Sequence, residues 1–272
     1  MTNIMDWQGA TGRNWAHEWR RTDRSFADLT GRLIARIEVE PGAAVLDIGC
    51  GAGELSLAVA AARANAEVLG VDISPELIDA ASGRSNLPNV RFALANAAEW
   101  MEQDFAPDLL ISRHGVMFFD DPPSAFAHIA AASAPAARLV FSCFRAPALN
   151  KWASEIGKLL AVPGASPPDP HAPGPFAFAD PERVRAVLGA AWTDIAFEEV
   201  DFTYIAGEGS APVDDALAFF SRIGPFAAAL RERPEDEQAV LRGAMRDLAE
   251  RFRDGAHVAF PAAAWIVSAR KR

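Results

Sequence analysis

The stretch VLDIGCGAGE, residues 45–54, decides the fold of this chain. A short apolar run is followed at once by three glycines within the five positions 49–53. Glycine inside a regular element costs about 0.5–1 kcal/mol relative to alanine, so three together need a structural reason. Either the chain turns sharply after a buried strand, or another group approaches its backbone closely.

Apolar runs typical of strands alternate with helical patterns on both sides of this stretch. The predicted strands lie within residues 41–49, 66–74, 89–96, 107–115, 137–144, 194–207 and 262–271. Repeated strand–helix–strand units indicate an α/β fold with a doubly wound, mostly parallel, seven-stranded sheet and helical cap insertions. Ligands of such sheets lie beyond the carboxyl ends of the strands. A short helix is also predicted over residues 97–103.

Changes in pattern divide the chain into a core and caps. The predicted parts are an N-terminal helical cap (1–40), a ligand-binding Rossmann-like core (41–146), a lid (147–179), a continuation of the core (180–206), a helical cap insertion (207–256) and a final core strand (257–272). The lid contains a Pro/Gly-rich loop, 162–175, and a loop of this length inside a domain is usually functional.

Composition restricts the class of protein. Half of the 272 residues are hydrophobic, and the net charge of −10 argues against a nucleic-acid partner. Two cysteines and scattered histidines predict neither a disulfide framework nor a metal site. The first residues show no signal-peptide pattern and no run long enough to span the membrane, so we expect a cytoplasmic protein. The oligomeric state stays open.

The spacing of the glycines favours one kind of ligand. A dinucleotide site would need a third glycine where this chain has Glu54, and a carboxylate there would face the diphosphate. The glycines instead follow the pattern G-x-G-x-G, two residues after Asp47. An acid-flanked loop suits a zwitterionic ligand with a cationic amine.

This stretch resembles the class I S-adenosylmethionine (SAM)-dependent methyltransferases, and the resemblance covers residues 40 to about 145. Asp47, Gly49, Gly51 and Gly53 match the family's first motif, whose backbone contacts the methionine part of SAM. The resemblance therefore implies a Rossmann-like methyltransferase fold with SAM as cofactor.

Further positions match the family's other cofactor contacts. Asp72 matches the acid that accepts hydrogen bonds from both ribose hydroxyls, and Ile73 the apolar residue against adenine. Asn96 stands where the family commonly has an aspartate that binds the adenine amino group, and an amide oxygen can accept the same hydrogen bond. Ala97 would offer its backbone N–H to adenine, and Ser112 would approach SAM through its backbone.

A wider likeness covers most of the chain. Segments such as ISRHGVMFFDDP (111–122) and PGPFAFADPERV (173–184) are similar to a bacterial subgroup near the ubiquinone/menaquinone-biosynthesis methyltransferases. This likeness supports the fold and the cofactor and says little about the substrate. The expected function is methyl transfer, by in-line displacement, to O, N or C of a small, partly aromatic or apolar acceptor.

His114 is the candidate catalytic base, because it follows the fourth predicted strand and an imidazole with a pKa near 6.5 suits proton removal at neutral pH. The alternative is that it fills an aromatic position beside the cofactor. Arg113, its neighbour, is expected to pair with Asp120 or Asp121.

Aromatic residues are frequent in the segments expected to cap the site. They are Trp7, Trp15, Trp19, Phe118, Phe119, Trp152, Phe176, Phe178, Phe219, Phe220 and Phe226. Those that line the site would favour a flat or apolar acceptor, with the 162–175 loop closing over it.

Two other functions stay open. The chain could bind SAM without turnover, since the motif establishes binding alone. A nicotinamide-dependent oxidoreductase is disfavoured by Glu54 and by the lack of a Tyr/Lys pair, because Tyr204 is the only tyrosine.

Overall fold

The computed structural model describes residues 7–162, 164 and 169–272, and the strands they contain form one sheet. These strands are β1 (Ala44–Ile48), β2 (Glu67–Asp72), β3 (Val90–Leu94), β4 (Leu109–Arg113), β5 (Arg138–Phe144), β6 (Trp192–Glu208), β7 (Arg253–Asp254) and β8 (His257–Lys271). The order is β3-β2-β1-β4-β5-β8-β6, with the two-residue β7 paired to β8. Strands β1 to β5 pair in parallel, and β8 pairs antiparallel with β5 and β6. The predicted fold class is confirmed.

Helices cover the sheet and cap its carboxyl edge. They are α1 (Ala10–His17), α2 (Trp19–Glu38), α3 (Glu54–Ala62), α4 (Pro75–Ser82), α5 (Pro122–Ala132), α6 (Lys151–Leu160), α7 (Pro181–Leu188), α8 (Pro212–Phe220), α9 (Gly224–Arg231) and α10 (Glu235–Arg251). Single 3₁₀ turns occupy Val116–Phe118 and Pro147–Leu149. No helix of the described residues combines the length and the apolar character that crossing a membrane requires.

The strand order places the ligand site. Chain connections run outward in one direction from β1 to β2 and β3, and in the other from β4 to β5. Loops therefore diverge between β1 and β4 and leave a crevice at the carboxyl edge, where ligands of open α/β sheets bind. The glycine stretch follows β1 directly, so it borders this crevice.

Helix α2 joins the N-terminal segment to the core. Phe26, Leu29, Leu33 and Ile37 recur at helical spacing and are at most 6% exposed. Burying each of them stabilises the fold by about 1.5–3 kcal/mol. The same helix packs on β6, where Arg24 contacts the Asp215 carboxylate of α8 at 2.7 Å. Helix α2 thus links the two caps to the sheet.

The prediction of a short helix over residues 97–103 is wrong. The side chain of Asn96 accepts a hydrogen bond from the Ala98 amide at 3.1 Å, and its carbonyl accepts one from Trp100 at 2.8 Å. These bonds close a turn after β3, and Glu102 and Phe105 then form an isolated β-bridge. Asparagine competes with helical backbone bonding in this way.

The predicted lid is described in part. Residues 163 and 165–168, as well as 1–6 of the predicted N-terminal cap, lie outside the described residues. Near the end of the predicted lid, the amide of Gly174 donates a hydrogen bond to the carbonyl of Met117 at 3.1 Å. The end of the segment therefore contacts the turn after β4.

Candidate active site

A cavity of about 530 Å³ lies at the carboxyl edge of the sheet. The ends of β1, β2 and β4 and the residues that follow β1 to β4 form one part of its wall, and the remainder comes from the helices, from the end of β5 and from β6. Eight of the ten site residues predicted from the sequence line it: Asp47, Gly49, Gly51, Asp72, Ile73, Asn96, Ala97 and His114.

The three glycines of the opening stretch have three different structural roles. A Cβ on Gly49 would lie 2.9 Å from the Cα of Gly115, so this glycine lets the loops after β1 and β4 touch. A Cβ on Gly53 would lie 2.8 Å from the ring of Phe92, so it permits close packing of α3. Gly51 has open space around it and lines the cavity. All three have φ between 55° and 85°, which favours glycine.

Gly53 and Ser112 are not brought to the cavity wall. Ser112 is fully buried; its hydroxyl donates to the carbonyl of Ile48 at 2.7 Å and accepts from the amide of Gly115 at 3.1 Å. Ser112 therefore ties β1 to the loop after β4. Both residues support the cavity from behind.

Asp47 is a buried carboxylate at the edge of the cavity. Its Oδ2 accepts a hydrogen bond from the hydroxyl of Ser56 at 2.5 Å, while no described group donates to Oδ1. Burial raises the pKa of Asp47 to about 7, against the effect of the Ser56 hydrogen bond. Buried polar atoms are nearly always paired, so the free oxygen indicates a cationic or hydrogen-bonding ligand group.

Asp72 ends β2 and anchors the glycine loop. Its Oδ2 accepts from the amide of Gly51 and its Oδ1 from the amide of Ser74, both at 2.9 Å. Burial raises the pKa of Asp72, and these backbone hydrogen bonds act in the opposite direction. Each oxygen keeps a second lone pair for a ligand hydroxyl. Ile73, the next residue, adds an apolar surface to the cavity.

Asn96 and Ala97 line the cavity beyond β3. The turn described above orients the Asn96 side chain through its bond to Ala98. One lone pair of the amide oxygen is therefore used within the protein, and the other is free to accept from a ligand.

His114 has an unusual environment. It is a non-glycine residue in the left-handed region, with φ of 62°, and its ring stacks on Phe144 at 4.1 Å between centroids. Neither ring nitrogen has a hydrogen-bond partner among the described residues. Burial and then the charge of Arg113 lower its pKa to about 3. The imidazole is therefore neutral at physiological pH, unlike the titrating histidine expected from the sequence.

Arg113 pairs with partners other than those predicted. Its guanidinium forms an ion pair with Glu54, lies 3.7 Å from a carboxylate oxygen of Asp23, and donates to the Thr30 hydroxyl at 2.9 Å. The predicted partner Asp121 instead caps α5, where its carboxylate accepts from the Ser124 hydroxyl at 2.7 Å. Glu54 thus sits at the start of α3 with its charge compensated.

Aromatic side chains line the cavity where the caps cover it. Of those predicted, Trp7, Trp15, Trp19, Phe118, Phe119, Trp152, Phe220 and Phe226 line it. Phe176, Phe178 and Phe219 do not; the latter two are fully buried in the core. Sequence reasoning missed Thr22, Asp23, Phe26, Phe144 and Tyr204. Phe144 is the last residue of a predicted strand. Its place at the carboxyl edge of the sheet could have identified it as a cavity residue.

Comparison with known families identifies the domain. A sequence profile described as "Methyltransferase domain" matches residues 17–173, which is more than half of the chain. The match includes the glycine loop, Asp72 and His114, and it ends before β6 and the cap helices α8 to α10.

Individual relatives match over a shorter length. Trans-aconitate 2-methyltransferase of Variovorax paradoxus is 33% identical over 132 residues, 48% of this chain and 48% of the relative. The enzyme of that name from Methylobacterium radiotolerans is 35% identical over 118 residues, 43% of this chain and 42% of the relative. The chain thus matches about half the length of these curated relatives.

Solved structures share the fold. Phosphoethanolamine N-methyltransferase 2 of Haemonchus contortus, solved with S-adenosyl-L-methionine, superposes with a TM-score of 0.55 at 17% identity, over 99% of this chain and 60% of that one. Magnesium protoporphyrin IX methyltransferase of Synechocystis gives a TM-score of 0.51 at 16% identity, over 96% and 97% of the two chains.

Proposed function

The chain belongs to the methyltransferase domain family, and on this premise we propose that it transfers a methyl group from SAM to a small, apolar or partly aromatic acceptor. The observation that carries the proposal is the free, buried oxygen of Asp47 in the same cavity as the Asp72 carboxylate. These two acids fit the two polar parts of SAM, its amino-acid end and its ribose.

The amino-acid end of SAM fits the wall formed after β1. Its ammonium would pair with Asp47, the buried carboxylate that lacks a donor on one oxygen. Gly49 and Gly51 line the same wall without side chains, so backbone is accessible to the ligand. Gly53 and Ser112 keep this wall in place from behind.

The nucleoside end fits the wall formed after β2 and β3. Asp72 would accept hydrogen bonds from the ribose hydroxyls through its remaining lone pairs. Ile73 would lie against adenine, with the Asn96 amide oxygen accepting from the adenine amino group and the Ala97 amide donating to a ring nitrogen. All four residues line the cavity.

When bound, SAM supplies a methyl group on a positively charged sulfur, a carbon that already carries a good leaving group. The protein contributes alignment of the acceptor and exclusion of water. The aromatic side chains of the caps provide that dry surface. A ring that faces the sulfonium stabilises its charge by about 0.5–2 kcal/mol.

His114 contacts the acceptor as a neutral imidazole. With a pKa of about 3 the ring is neutral above pH 5, so one nitrogen carries a hydrogen and the other can accept a hydrogen bond from the acceptor. A base of such low pKa removes a proton poorly at neutral pH, since general bases work best near the operating pH. We therefore assign His114 primarily to orienting the acceptor, and the base role stays a prediction.

The acceptor is a small molecule, and its chemical class does not follow from the relatives. The likeness to the ubiquinone/menaquinone subgroup stays a prediction, and the relatives described above are trans-aconitate 2-methyltransferases matched over about half their length. The cytoplasmic location likewise stays a prediction.

Ligand-dependent unfolding tests the proposal. SAM and S-adenosylhomocysteine should each raise the midpoint of thermal unfolding, because a ligand of the native state stabilises it. NAD should leave the midpoint unchanged; stabilisation by NAD alone would favour the oxidoreductase. Release of S-adenosylhomocysteine from SAM in the presence of a metabolite extract then separates an enzyme from a protein that binds SAM without turnover.

A further inference from the structure

Five aromatic side chains that line the cavity form a closed ring of contacts, which we call the aromatic collar. Its members are Phe26, His114, Phe144, Trp152 and Tyr204. Going around the collar, successive ring centroids lie 5.2, 4.1, 5.3, 5.3 and 5.4 Å apart, the last distance returning from Tyr204 to Phe26. The collar combines α2, α6, β5, β6 and the residue after β4.

Two members of the collar carry buried polar atoms without partners. Both ring nitrogens of His114 and the indole Nε1 of Trp152 lack a hydrogen-bond partner among the described residues. Leaving such groups buried and unpaired is unfavourable. A ligand that occupies the collar would therefore be expected to offer both a donor and an acceptor.

The charges around the cavity are unfavourable for an anionic ligand. Of the described lining residues, Arg113 is the single lysine or arginine, and its charge is compensated by Glu54 and Asp23. Six acids line the same cavity: Asp23, Asp47, Asp72, Glu99, Asp120 and Asp121. A carboxylate on the acceptor would be desolvated here without a free cation.

We propose that the aromatic collar binds the methyl acceptor as an uncharged planar ring that carries a hydroxyl group, and that it selects against carboxylates. This inference rests on the proposed function. A hydroxyl both donates and accepts, so it satisfies an unprotonated nitrogen of His114 and the N–H of Trp152 together. The apolar parts of the collar that line the cavity would pack against the ring of the acceptor.

A cationic acceptor fits the collar less well. An ammonium group can donate to His114, but it has no lone pair to accept the N–H of Trp152. The six acids of the cavity lie outside the collar, so they do not supply the acceptor that the N–H of Trp152 lacks.

Calorimetric titration of the full chain, saturated with S-adenosylhomocysteine at pH 7.5, tests the inference. The probes are 2-naphthol, 2-naphthoate, 2-naphthylmethylammonium and the tricarboxylate trans-aconitate. We expect 2-naphthol to bind at least about tenfold more tightly than each charged probe. Equal or tighter binding of any charged probe would overturn the inference.

A pair of matched variants localises the binding. Trp152→Leu should weaken 2-naphthol at least about fivefold and leave S-adenosylhomocysteine within about twofold of wild type. The control is Trp265→Leu, a half-buried tryptophan of β8 outside the cavity wall, which should change neither affinity. Unchanged naphthol binding in Trp152→Leu would also refute the collar as its site.

The same experiment separates this inference from the function on which it rests. Absence of S-adenosylhomocysteine binding would overturn the proposed function, and the naphthol titration of the unliganded protein would still report on the collar. Normal S-adenosylhomocysteine binding without preference for 2-naphthol would overturn the inference alone.

Discussion

The amide of Gly51 donates a hydrogen bond to Oδ2 of Asp72 over 2.9 Å, joining the glycine loop after β1 to the end of β2. The other oxygen of the same carboxylate holds the amide of Ser74 at 2.9 Å, at the start of α4. One acid thus fixes two backbone segments that border the cavity. The same carboxylate therefore shapes the glycine loop and is the proposed ligand group for the ribose.

Replacing this acid should therefore weaken cofactor binding strongly. Asp72→Ala removes two hydrogen bonds to the ribose, each worth about 1.5–3 kcal/mol with a charged acceptor. We expect the affinity for SAM, measured by calorimetry, to fall at least about 30-fold. Asp79→Ala is the matched control, since Asp79 is exposed on α4. Wild-type affinity in Asp72→Ala would refute the assignment of the ribose site.

The glycines of the opening stretch should respond differently to a methyl group. Gly49→Ala places a Cβ against the backbone of Gly115, where neither chain segment can yield easily. We expect the free energy of unfolding to fall by more than about 2 kcal/mol in urea. Gly51→Ala meets no atom within 4 Å, so its cost should be the left-handed backbone alone, about 1–2 kcal/mol.

The affinity for SAM is a second measurement on Gly51→Ala. Gly51 lines the cavity, so its new methyl group should obstruct SAM while the protein stays folded. Gly243→Ala, on the exposed face of α10, is the control and should stabilise the helix by about 0.5–1 kcal/mol. Equal stabilities of Gly49→Ala and Gly51→Ala would contradict the assigned roles.

The local sequence predicted much of the fold and part of the cavity wall. Alternating strand and helix patterns predicted the parallel sheet, because buried parallel strands read as continuous apolar runs. Asp47, Asp72 and Asn96 were identified because they match motifs of the class I methyltransferases, and the structure places all three at or near the carboxyl ends of β1, β2 and β3. Asn96 also shows a local limit: its side chain closes a turn where the pattern suggested a helix.

The remainder of the site depends on contacts between distant segments. Arg113 pairs with Glu54 and Asp23, from α3 and α2, in place of Asp120 or Asp121, which follow it within eight positions. Phe26 and Tyr204 are 178 positions apart (204 − 26) and yet are neighbours in the collar. A helical or strand pattern shows that such residues are buried. It does not tell which of them border a cavity.

The raised pKa of Asp47 predicts a pH dependence of stability. Its folded pKa of about 7 is above the unfolded value near 3.9, so between these values the folded protein holds a proton that the unfolded chain has lost. The contribution of this group to the free energy of unfolding should therefore fall as pH rises from about 4 to 7. The free energy of unfolding in urea should be measured for wild type and Asp47→Asn between about pH 5 and 7.5, where linkage predicts the change. The difference between the two proteins gives the contribution of Asp47. A difference independent of pH would contradict the raised pKa.

Cofactor binding should show the opposite sign. The ammonium of S-adenosylhomocysteine pairs with ionised Asp47, so binding below the pKa requires loss of a proton. For a pKa of about 7, the affinity should rise about eightfold between pH 6 and 7.5. Asp47→Asn should bind more weakly and lose this slope. Identical slopes in the two proteins would place the ammonium elsewhere.

The environment of His114 predicts an imidazole that stays neutral well below the usual range. Of the five histidines, His114 should keep the carbon chemical shifts of a neutral ring down to pH 5 in a ¹³C NMR titration, because burial and Arg113 lower its pKa to about 3. His114→Phe identifies the signal by removing it, and His114→Asn, which tolerates the left-handed backbone, serves as the second variant. A midpoint for this signal near the ordinary value of about 6.5 would refute the neutral assignment and restore the base role. If the signal does not titrate, the pH profile of the rate of methyl transfer should show no step near pH 6.5, about the ordinary pKa of histidine, that is due to His114.

Binding gives a second test of the same residue. His114→Phe should weaken the binding of 2-naphthol about fivefold and leave the affinity for S-adenosylhomocysteine unchanged.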